Sequence, residues 1–148
     1  SRRHVQIQRL HDYSEAGLFP INEDTEAPLH QFLDHHGHRC AVANLLFQDG
    51  HDDIVQRTAR THNDLEVVNV HDGPFHDWML SSGLTQEELV RIQAPGPAAT
   101  RWRTNPVVTT ESLQEHFQSV ETELAENEAT SLDLAVERLL ADQDDATP

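Results

Sequence analysis

The stretch "FLDHHGHRCAVANLL", residues 32–46, sets how the whole chain is read. It packs three histidines and the chain's only cysteine into six positions and then turns apolar. From Cys40 to about Gln48 the sequence predicts a helix that is apolar nearly all round: Ala41, Val42, Ala43, Leu45, Leu46 and Phe47. A helix without a polar face belongs at the centre of a fold. The residues before it, Asp34 to His38, form a turn around Gly37, preceded by a short extended segment, 29–34, with period-two alternation.

Amphipathic helices surround this centre. Residues 3–16 place Ile7, Leu10 and Tyr13 near one face, and Gly17 followed by Pro20 ends that helix. After Gly50, Asp52 opens a helix to about His62, with Ile54, Val55, Thr58 and Ala59 inside. "LEVVNV", 65–70, is a short extended segment or a tight crossover. Pro74 opens a short helix through Phe75, Trp78 and Met79, closed by Gly83. Thr85 and Glu88 have capping-box spacing, and Leu84 with Leu89 that of a hydrophobic staple, so a helix over 86–93 follows.

Beyond residue 93 the composition changes. Residues 94–110 hold three prolines and a glycine and read as an arm. Two amphipathic helices, about 111–128 and 131–142, then suit a hairpin. Residues 111–148 carry eleven carboxylates and one arginine, a net −10 of the chain's −16. The expected architecture is mainly α: a compact multi-helix unit over 1–93 with minor extended segments, a Pro-rich arm over 94–110, and an acidic helical hairpin over 111–148.

The bulk numbers exclude several functions. With 148 residues there is one domain, or one with an appendage. Ten arginines, no lysine and 26 acidic residues make a surface that repels nucleic acid and anionic membranes. No apolar run approaches the roughly 20 residues of a membrane span. A single cysteine excludes an intrachain disulfide.

Three chemistries remain open for the histidine-rich turn. His36, His38 and Cys40 offer imidazole and thiolate ligands suited to zinc, copper or iron, with His35, His51, His71 and His76 in reserve. The spacing matches no known ligand class, and a solvated histidine cluster explains it as well. Alternatively, Cys40 in a first helical turn gains nucleophilicity from the helix dipole, with His38, His71 or His76 as base and Asp72 or Asp77 as orienter. The simplest reading makes Cys40 a small buried core residue. The acidic clusters at 22–24 and 142–145 do not fit an EF-hand calcium loop. In the arm, Trp102 between Arg101 and Arg103 has the composition of an interface anchor.

One pattern runs through these segments: Asp34, Gly37 and Cys40 at three-residue spacing opening Ala-Val-Ala, then Trp78, then Gly83-Leu84-Thr85 with Glu88, Ile92 and Gln93. It resembles a family of small exported bacterial helical proteins over roughly residues 17–95. The resemblance implies export and a compact helical unit, and brings no catalytic residue with it. Ser1 in place of Met agrees with export followed by cleavage. The functional expectation is therefore a non-catalytic accessory or binding subunit, periplasmic or extracellular, docking on a larger protein partner. The alternatives are a periplasmic transition-metal-binding protein and, further off, a Cys–His enzyme.

Overall fold

The computed structural model describes residues 1–20, 31–93, 110–128, 130, 133 and 136–141. The protein is mainly helical, and among these residues there is no strand. The helices are α1 (Arg2–Ala16), α2 (Ala41–Gln48), α3 (Asp52–Thr61), α4 (Gly73–Ser81), α5 (Gln86–Gln93) and α6 (Thr110–Glu126), with a 3-10 turn at Val67–Asn69. Residues 136–141 are also helical.

The apolar helix lies at the centre as its sequence requires. In α2, Val42, Ala43, Leu45 and Leu46 are completely buried, while Phe47 and Gln48 at its end reach the surface. α2 contacts α1, α3 and α5. Gly17 caps α1 with a left-handed backbone, φ 67°, and its N–H bonds the Tyr13 carbonyl. The segment "LEVVNV" forms the 3-10 turn rather than a strand. Two glutamines of α5 hold it. Gln86 Nε2 donates to the Val67 and Val70 carbonyls, while Gln93 accepts from Val67 N–H and donates to the Leu65 carbonyl.

The core does not stop at residue 93. α6 packs on α1 and α5, and Phe117, Val120 and Leu124 are buried in the same cluster as Leu10, Leu45 and Ile92. Tyr13, Phe19 and Phe117 form a ring cluster with centroids 5.3–5.6 Å apart. The periodicity of 111–128 and 131–142 predicts a helix hairpin, but the apolar face of α6 packs on α1. Periodicity shows that a face must be covered and does not say by what.

Candidate functional site

The histidine turn is built around Asp34. Its Oδ1 accepts from the backbone N–H of His36 and of His38, both at 2.8 Å, and its Oδ2 lies 3.0 Å from His38 Nδ1. Gly37 takes φ +81°, which L side chains rarely adopt, so the turn closes tightly there. On either side the chain runs extended, with an antiparallel bridge between Leu33 and Arg39. Asn63 supplies the missing ladder partner: its side chain accepts from Leu33 N–H and donates to the Leu33 carbonyl. This is why 32–40 folds as a hairpin-like loop without a second strand.

Cys40 is the residue where the turn becomes α2. It is the N-cap, with Sγ 3.5 Å from the Ala43 amide nitrogen, and it is buried. Burial pushes the thiol up to about 12, against the lowering effect of the Ala43 and Val42 amides. A group so poorly ionised is not an activated nucleophile. The surroundings agree: His71 and Asp72 are exposed, and His38 is engaged by Asp34. Burial also raises Tyr13 well above its ordinary value, with the Cys40 and Asp34 charges adding to the effect; its hydroxyl donates to the Arg39 carbonyl at 2.7 Å.

The expected metal set does not form. His36 is exposed and its ring sits 6.0 Å from that of His38, while the thiol turns into the core. Among the described residues no three His, Cys, Asp or Glu side chains group to hold a metal ion. The geometry at 34–40 does not fit a zinc, copper or iron centre, because a residue that caps a buried helix points away from the turn that precedes it. Arg101, Trp102 and Arg103 lie outside the described residues.

The sequence pattern running from Asp34 to Gln93 now has a physical reading. Asp34 ties the turn, Gly37 permits it, and Cys40 caps α2. Trp78 Nε1 donates to Asp49 at 2.7 Å. Gly83 has φ +86°, and a Cβ there would meet the Arg3 backbone nitrogen at 2.8 Å. Thr85 and Glu88 complete the capping box, with Thr85 N–H to Glu88 Oε2 at 2.9 Å and Glu88 N–H to Thr85 Oγ1 at 3.2 Å. Gln93 clamps the 3-10 turn. Each position serves the scaffold.

Two polar hubs escaped the sequence reading. Arg3, completely buried, donates to Glu88 and to the carbonyls of Gly83 and Leu124. Asp49 receives Arg2, Gln6, Arg9 and Trp78. Burial pushes its carboxyl up, but bonds from Arg9, Trp78 and Gln6, with the Arg9 charge, hold it below the usual range. Nothing in an isolated "QDG" or "RRH" signals such convergence, since the partners are 29 to 121 residues apart.

Outside the scaffold, two surface features stand out. One is a cleft of about 270 Å³ between α1 and the histidine turn. The other is the C-terminal helical segment, where Val136, Leu139 and Leu140 are exposed at 52, 37 and 57%. Arg138 of this segment bonds Glu87 of α5 at 2.6 Å. Comparison of the chain with known protein families, with curated proteins and with solved structures finds no match.

Proposed function

We propose that this protein is a non-catalytic docking subunit whose C-terminal helical face binds a basic protein partner. The observation that carries the reading is the exposed apolar stripe Val136, Leu139 and Leu140 in the most acidic part of the chain. The apolar face of α6 is already covered by α1, so docking falls to residues 136–141. Exposed Asp133 and Glu137 flank the stripe. A partner helix with apolar residues on one side and arginine or lysine on the other complements both features. The charge would steer the encounter and raise the association rate, while the leucines would supply the affinity. Beside the segment a cavity of about 60 Å³, lined by Met79, Leu80, Leu84 and Arg138, leaves room for an incoming side chain.

The sequence resemblance supports an exported setting, in the periplasm or outside the cell. The Arg101–Trp102–Arg103 arm is proposed as a second contact on its composition alone. The test is the hydrodynamic size of the native protein in its own extract at low and at high salt. The full chain is expected in a larger complex that high salt weakens, and a Leu139→Asp, Leu140→Asp double variant is expected to run alone. A lone monomer at low salt overturns the proposal.

A further inference from the structure

We propose that the cleft between α1 and the histidine turn binds a small organic monocarboxylate through Arg39. The cleft, about 270 Å³, is lined on one side by Tyr13 and Leu18 and on the other by His38, Arg39, Asn44 and Gln48. Leu18 is 60% exposed, an apolar surface suited to the body of a ligand rather than to its charge.

Arg39 is the anomaly. Arg3, Arg9, Arg91 and Arg138 each meet a carboxylate. Arg57 and Arg60 are exposed to water. Arg39 is half-buried, and among the described residues no carboxylate pairs with it, in a chain that holds 26. Its Nε is buried with no hydrogen-bond partner. Burial shields Nε, as it does that of Arg3, so a ligand in the cleft would be met by the Nη groups of Arg39. The guanidinium carbon stands 3.7 Å over the centre of the Phe47 ring. That contact holds the guanidinium over the ring, and its planar fork suits a planar, two-oxygen acceptor.

The neighbours extend the recognition. Asn44 and Gln48 are one helical turn apart and lie on the same face of α2, so both amides border the cleft. Asp12, bonded to Gln8, also lines it. Its negative charge and the chain's net −16 oppose multiply charged anions such as phosphate more than a singly charged carboxylate. The site is independent of the C-terminal docking face.

The experiment is an NMR titration of the full-length protein with benzoate, and in parallel with inorganic phosphate. Benzoate is expected to give saturable shifts at the Arg39 Nε–H and the Asn44 side-chain amide, with phosphate binding more weakly. Arg39→Gln is expected to weaken benzoate by at least about tenfold, the loss of a charged hydrogen-bonded contact. If that variant fails to fold, Arg39→Lys keeps charge without the planar fork and is expected to weaken binding by about tenfold. No saturable shift, an equal affinity for phosphate, or benzoate binding undiminished in the variants overturns the proposal.

Discussion

Arg3 and Glu88 form a two-pronged ion pair, Nη1–Oε2 at 2.8 Å and Nη2–Oε1 at 2.7 Å, between the first turn of α1 and the first turn of α5. The same guanidinium donates to the Leu124 carbonyl at 2.8 Å, so three helices meet on one buried side chain. Glu88 also closes the capping box of α5. Removing Arg3 would leave a carboxylate and two carbonyls short of donors. Arg3→Ala is expected to destabilise by about 3–5 kcal/mol in denaturant unfolding. A loss under about 1 kcal/mol would mean that water replaces the guanidinium freely.

Gly83 lies against this hub. Its φ of +86° and the 2.8 Å approach of an added Cβ to the Arg3 nitrogen oppose any side chain. Gly83→Ala is expected to cost more than about 2 kcal/mol, since left-handed backbone alone costs about 1–2. Gly50 has the same φ and open space around it, so Gly50→Ala should show the backbone cost without the clash. Comparing the two by thermal unfolding separates the effects.

α6 belongs to the core, which predicts the outcome of truncation. Phe117 packs edge-on against Tyr13 at 5.4 Å, and Val120 and Leu124 are buried. Phe117→Ala is expected to cost about 3–5 kcal/mol. A chain ending at residue 93 should lose the cooperative unfolding transition, measured by near-ultraviolet circular dichroism. A folded 1–93 fragment of full stability would show that α6 is dispensable.

The thiol of Cys40, raised to about 12 by burial, should react with a soluble disulfide reagent only when the protein opens. The expected labelling rate in native buffer therefore tracks unfolding and rises with denaturant. Stoichiometric labelling within seconds would revive a reactive cysteine.

His116 supplies a pH dependence of known sign. Burial, then the Arg91 charge, lowers its pKa, and its Nε2 is 3.2 Å from the Arg91 carbonyl. A carbonyl accepts, so the neutral ring donates from Nε2. Because the folded value lies below the unfolded one, the unfolded chain takes up the proton first as pH falls. Its contribution is complete above about pH 6.5 and is lost as pH falls through the folded value. His116→Asn should flatten the fall in melting temperature between pH 7.5 and 5.5. An unchanged slope would show that His116 does not carry it.

How far the sequence could be read follows from the range of each interaction. The capping box, the helix over 86–93 and the central helix after Cys40 depend on neighbours within five residues, and local spacing encodes them. The sequence over 65–70 suits an extended segment or a tight crossover equally, because the hold on the 3-10 turn comes from Gln86 and Gln93 on another helix. Closeness in sequence is not convergence at His36, His38 and Cys40, because the helix start sends Cys40 inward and leaves His36 outside. The Arg3 and Asp49 hubs left no trace in the sequence, since an arginine or aspartate bound for burial looks like any other until its partners are placed.

The central claim is that residues 136–141 dock a basic partner, and site-specific photo-crosslinking in the producing cells tests it most directly. A crosslinker at Leu140 is compared with one at Val68, which is exposed at 51% in the 3-10 turn. The account predicts a discrete adduct from position 140, to a partner with a basic surface, that is absent from position 68 and lost when Leu139 is changed to Asp. No adduct at position 140, or equal adducts at both positions, would contradict it.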